Sequence, residues 1–150
     1  MKTILVAVDG SEHASKAVDV AGKLARLYDA RLHLLHVVPF EPLPEGLVAF
    51  ARAEKIPIEE EVGRWQSARL LGDALVREAA ERLRGQGLEG VETHVEEGSP
   101  GPVILAVAER LEADLIVVGS RGRTGLAATL LGSVSHRVAL NARCSVLIVR

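Results

Sequence analysis

Cysteine is nearly absent from this 150-residue chain, in which Cys144 stands alone. A single thiol excludes an intramolecular disulfide framework and a multi-cysteine metal site, and it suits a reducing compartment. An excess of one charge is missing too. Lys and Arg number 18 against 20 Asp and Glu, a formal net charge of -2 that gives no global pull toward nucleic acid or an acidic membrane surface. No stretch reaches the roughly 18 apolar residues a membrane span needs. The opening MKTILVAVDGSEH has a short apolar run, but Asp9 and Glu12 interrupt it before a signal-peptide core or cleavage site forms. These absences lead us to expect a cytoplasmic, single-domain protein, residues 1–150, with no nucleic acid and no membrane among its partners.

What is present is an alternation of two periodicities. Met1 to Val8 is almost continuously apolar, as in a strand buried on both faces. From Ser11 to Tyr28 the apolar positions Ala14, Ala17, Val18, Ala21, Leu24, Ala25 and Tyr28 step by three and four, with Ser11 as N-cap. Arg31 to Val38 reads as a second strand, closed by Pro39. Helical spacing returns from Ala68 to Leu83 through Leu71, Leu75 and Ala79. Val91 to Glu96 reads as a shorter, more polar strand suited to a sheet edge, and Ser99 and Pro102 punctuate a helix through Val103, Val107 and Leu111. Leu115 to Val118, Ser133 to Leu140 and Val146 to Val149 complete the order as strand, helix and strand. Regular alternation of this kind predicts an open five-stranded parallel sheet with helices on both faces, wound 3-2-1-4-5 or 2-1-3-4-5. The polar third strand favours the first. Between Pro39 and Glu61 four prolines and an acidic triplet mark a long loop after the second strand.

Two glycine patterns compete for attention. GQGLEG, Gly85 to Gly90, matches the dinucleotide-binding fingerprint, but here a helix precedes the glycines and a strand follows, the reverse of what that site needs. It reads as a helix C-cap and turn. No Walker A run exists, which excludes a P-loop nucleotidase. GSRGRTGLAATLLGS, Gly119 to Ser133, has the right context: a strand enters it and a helix leaves it. Glycines allow a phosphate to approach the backbone, a helix N-terminus offers free N–H groups, Ser133 and Ser135 add hydroxyls, and Arg121 and Arg123 add cations. The competing reading is a loop followed by an ordinary serine N-cap. In the order 3-2-1-4-5 the sheet's switch point lies between the first and fourth strands, so Asp9 and Gly119 end side by side. Asp9 could hold a ribose hydroxyl or a phosphate-bound Mg2+ there, or could cap the first helix through the Asp-Gly-Ser turn. The five histidines show no metal-ligand spacing on one face; His33 and His36, three apart on a strand, point oppositely.

The same residues carry a resemblance. VAVDGSEHA, LLHVV, VVGSRGRTGLAATLLGSVSHRV and CSVLIV together resemble a universal stress protein of the ATP-binding kind, over the whole chain. The family's pattern of glycine, two residues, glycine, nine residues, glycine and then Ser or Thr is met by Gly119, Gly122, Gly132 and Ser133. The resemblance implies the Rossmann-like 3-2-1-4-5 sheet, ATP with Mg2+ as ligands, Asp9 near ribose and metal, and Ala7, Val8 and the backbone of Val37 near adenine. It implies Gly119, Gly122, Gly132, Ser133, Val134 and Ser135 near ribose and phosphates, with Arg121 and Arg123 at positions whose residue type varies. It also implies a homodimer across Val146 to Val149, whose apolar edge invites pairing.

The expectation is therefore an ATP-binding sensor or regulator of a stress response, with no catalytic residue assigned. No base, arginine finger or Walker lysine is in evidence, so the chain is not read as an ATPase, although slow ATP hydrolysis stays open. Two other readings stand beside it: a nucleotide-processing enzyme on the same sheet, and a nucleotide-free dimeric interaction module.

Overall fold

The computed structural model describes residues 1–39, 49–50, 52–55, 59–121 and 131–150. Five strands, β1 (Thr3–Ala7), β2 (Arg31–Val38), β3 (Val91–Glu97), β4 (Leu115–Gly119) and β5 (Ser145–Val149), alternate with four long helices, α1 (Glu12–Tyr28), α2 (Glu59–Gly85), α3 (Pro100–Arg110) and α4 (Ser133–Asn141). All strand pairs are parallel and the order is β3-β2-β1-β4-β5. The polar strand β3 lies at one edge and β5 at the other.

The apolar runs become central strands because both their faces are covered. Ile4, Leu5 and Val6 are fully buried, as are Leu32, Leu34 and Leu35 opposite them. Alternation sends Ile4, Val6, Leu32 and Leu34 into a core closed by α1 and α2, while Leu5, Leu35, Ile116 and Val118 meet Ile104 and Val107 of α3 and Val138 of α4. At about 25 cal/mol per Å² of apolar surface removed from water, these two layers supply the dominant drive for folding.

Local signals set the ends. Ser11 caps α1, its hydroxyl accepting the Ala14 N–H at 3.1 Å, and Asp29 in the left-handed region ends the helix. The GQGLEG run closes α2: Gln86 and Gly87 donate backwards to Arg82 and Arg84, and Leu88 to Leu83. Pro100 opens α3, with Ser99 at the N-cap making no side-chain capping bond.

Several expectations need correction. Helix α2 starts at Glu59 rather than Ala68. The segment expected as a loop up to Glu61 therefore ends earlier, and it contains a helical turn in which the Glu54 N–H donates to Phe50. The rest of that segment, 40–48, 51 and 56–58, lies outside the described residues. The buried stripe of α2 is rotated from the expected one. Leu71 is 66% exposed, and Gly72, Val76, Ala79, Ala80 and Leu83 face the sheet. The cause is His36, whose ring occupies the space a Cβ at residue 72 would need: that Cβ would stand 2.5 Å from His36 Cδ2. Tyr28, expected on the buried stripe of α1, is half-exposed because the helix has reached its last turn.

Candidate functional site

The carboxyl ends of β1 and β4 lie side by side, since Ile4, Leu5 and Val6 pair with Leu115, Ile116 and Val117. Sheet order reverses here, and the crevice beyond it receives residues from four places in the chain. Beyond Ala7, Asp9 makes an Asx turn, its Oδ1 accepting the Ser11 N–H at 2.8 Å, and Gly10 takes φ +81°, which an L side chain rarely adopts. The Asp-Gly-Ser turn foreseen for Asp9 thus forms, but it closes on Ser11, whose own hydroxyl caps α1. Val8 is buried with both backbone groups engaged: its N–H donates to Leu35 at 2.8 Å and its carbonyl meets His36 Nδ1 at 2.7 Å. Its side chain joins the core on the α1 and α2 side. Val37, near the end of β2, is buried on the α3 and α4 face.

Gly119 closes β4 against the first turn of α1. A Cβ there would lie 2.8 to 3.0 Å from His13 and the Ala14 nitrogen, so the strand end and the helix start touch through backbone. Ser120 then acts as a hub that sequence reasoning did not single out. Its N–H donates to Val149 at 2.7 Å, its carbonyl receives the Gly132 N–H at 2.7 Å and the Ser135 hydroxyl at 3.1 Å, and its Oγ is 3.3 Å from His13 Nδ1. Only the sequence position after Gly119 could have drawn attention to it.

Helix α4 begins from this hub. Gly132 is the N-cap, with φ -61° and ψ 157°, and as a glycine it makes no side-chain capping bond. Ser133, weighed as an N-cap, is the first helical residue instead and is exposed. Ser135 is turned inward, 2% exposed, and its hydroxyl faces the carbonyls of Ser120 and Gly132 at 3.1 and 3.0 Å. With a single proton committed to those carbonyls, the side chain holds the loop rather than presenting a donor outward. Val134 is half-buried beside it. Arg121 directly follows the hub, whereas Gly122 and Arg123 lie outside the described residues.

Two helix N-termini thus converge on the end of β4, but they differ chemically. In α1 the Ser11 hydroxyl already occupies the Ala14 amide. In α4 the cap residue has no side chain to offer. An anion set at the start of α4 would meet first-turn N–H groups carrying the helix's partial positive charge. A cavity of about 190 Å³ borders the crevice on the α2 side, lined by Val8, Gly10, Ser11, Leu75 and Arg82 among others. By itself it is smaller than the roughly 300 Å³ of an ordinary small-molecule pocket.

The family model of the universal stress protein family matches residues 1–150. The chain belongs to this family. Universal stress protein YxiE of Bacillus subtilis is 38% identical over 151 residues, covering 98% of this chain and 97% of its own. Among solved structures, universal stress protein UspA from Lactobacillus plantarum superposes with a TM-score of 0.75 at 25% identity, covering 99% of this chain and 97% of its own. A universal stress protein solved in complex with cAMP superposes with a TM-score of 0.68 at 30% identity, covering 99% and 96%. The α/β sheet order described above is the fold these relatives share. Among the described residues, no helix is long and apolar enough to cross a membrane.

Proposed function

We propose that this universal stress protein is a nucleotide-responsive binding protein that holds ATP, with its Mg2+, at the carboxyl ends of β1 and β4. The observation that carries the reading is the start of α4, where glycine at the N-cap leaves the first-turn amides without a side-chain partner of their own cap. The relative solved with cAMP supports an adenine nucleotide as the ligand class. In this reading the N–H groups of Ser133, Val134 and Ser135 take the phosphates, with Gly119, Arg121, Gly122 and Arg123 in the loop around them. Ala7, Val8 and the backbone of Val37 lie beside adenine, and Asp9 stands where the ribose or the cation would lie. Mg2+ would neutralise phosphate charge. The protein's part is to orient the nucleotide, and occupancy would favour one arrangement of the 39–61 segment or of a homodimer formed across Val146–Val149 of β5.

The test is calorimetric titration of ATP with Mg2+ into the wild type and Ser133→Glu. Residue 133 is exposed in the first turn, where a carboxylate favours the helix by about 0.3–1 kcal/mol, so the variant should melt no lower than the parent. The same charge opposes a phosphate. Saturable binding weakened by about tenfold or more, a change of about 1.4 kcal/mol, is the expected result. Equal affinity in both proteins would remove the phosphates from α4 and end the proposal.

A further inference from the structure

Two strands away from the crevice, the sheet brings together three groups that the linear sequence keeps apart. His33 of β2 pairs in register with Glu92 of β3, and Leu35 with His94, so His33, Glu92 and His94 share the face covered elsewhere by α3 and α4. His36 points to the opposite face, under α2. His33 Nδ1 lies 2.9 Å from His94 Nε2 and 3.7 Å from Glu92 Oε2, and one ligand atom from each residue falls within 4.8 Å of the other two. The His33 ring is 5% exposed, His94 is half-buried and Glu92 faces solvent. The cluster is anchored on one side and open on the other.

We propose that His33, Glu92 and His94 form a binding site for a divalent transition-metal ion of the Zn2+ type. Two imidazole nitrogens that face each other at 2.9 Å share one proton, and a metal ion takes that proton's place. Zinc bonds its ligands at about 2.0–2.1 Å in a tetrahedral arrangement, which sets neighbouring ligand atoms about 3.3 Å apart. The observed 2.9 and 3.7 Å straddle that spacing, and ligation asks the exposed Glu92 side chain to swing toward His94, whose ligand atom lies within 4.8 Å of its own. Two imidazoles and one carboxylate are a donor set suited to borderline divalent cations, with water completing the sphere on the open side. Burial is the main influence holding His33 below the usual histidine pKa, which Glu92 opposes and His94 and Arg31 reinforce. The neutral ring is the ligating form. Arg31, on the same face, adds a positive charge near His33, and Glu92 opposes it.

Untagged, nucleotide-free protein is titrated with Co2+, read by its visible ligand-field absorption, and then challenged with Zn2+. One equivalent of Co2+, displaced by Zn2+ and accompanied by a Zn2+-dependent rise in Tm, is expected. His94→Gln should weaken binding by at least about tenfold with the far-UV dichroism unchanged, since residue 94 is on an edge strand. Glu92→Gln, at an exposed position, should weaken it to a smaller extent. No saturable uptake of either metal, or equal uptake by His94→Gln, would overturn the site.

Discussion

At the scale of the residue, glycine does most of the positioning around the crevice, and its reasons are not all the same. Gly119 falls in a spacing that suggests phosphate contact, yet its immediate neighbour is the backbone of His13 and Ala14. Adding a methyl group must push β4 from α1. Gly119→Ala should cost about 1–3 kcal/mol, measurable as a lower urea midpoint at constant slope. Asp114 supplies a second residue-scale effect. Its carboxylate accepts the N–H groups of Lys2 at 2.7 Å and Thr3 at 2.9 Å, and these two bonds draw its pKa below the usual carboxylate value, against the opposing effect of desolvation and with lesser help from the N-terminal and Lys2 charges. A depressed folded pKa means that the unfolded chain binds the proton more readily. The stabilisation is therefore present above the ordinary aspartate range and lost as pH falls through the folded pKa. Thermal melts of wild type and Asp114→Asn should differ at neutral pH and converge in strong acid; a gap that persists below that range would assign the effect to something other than this charge.

At the scale of the element, α2 shows why spacing alone is an incomplete guide. Leu71, Leu75, Ala79 and Leu83 form a valid helical stripe, and so do Gly72, Val76, Ala79, Ala80 and Leu83. The two differ by a small rotation. The arbiter is the His36 ring bonded to the Val8 carbonyl, which needs a glycine above it and so turns Leu70 and Leu71 to solvent. Val76→Ala should cost about 2 kcal/mol, because Val76 is 2% exposed, whereas Leu71→Ala should stay within about 0.5 kcal/mol. Chemical denaturation of the pair checks the rotation directly. Strands were easier to read than this helix. A continuous apolar run admits one physical solution, burial on both faces, and the polarity of VETHVEE pointed β3 to the edge it occupies.

At the scale of the whole molecule, the alternation of strands and helices was legible within single segments, while the patterns left two windings open; the polar third strand and the family resemblance favoured the observed 3-2-1-4-5, and with it the meeting of Asp9 and Gly119 at one end. Finer relations between segments were not legible. The Ser120 hub depends on where Val149, Gly132 and His13 arrive, and the trio of His33, Glu92 and His94 depends on a register that no spacing along one strand contains. The inward turn of Ser135 likewise follows from the path of the chain around Ser120, since a serine in the first turn of a helix can face either way.

The central place of β1, hydrogen-bonded to β2 on one side and β4 on the other, has a consequence for the life of the protein. β1 is followed closely by its partner β2, whereas its other partner, β4, is made more than a hundred residues later, so one flank is filled long before the other. Contacts this distant in sequence form late, after the entropy of closing a long loop has been met. A chain stalled or cut before Gly132 can hold Asp9 and Val8 in place, but it has neither the Ser120 latch nor the start of α4. The crevice is therefore a late product of folding: whatever it holds, it can hold only once the stretch from Ser120 to Val149 has been made and folded home.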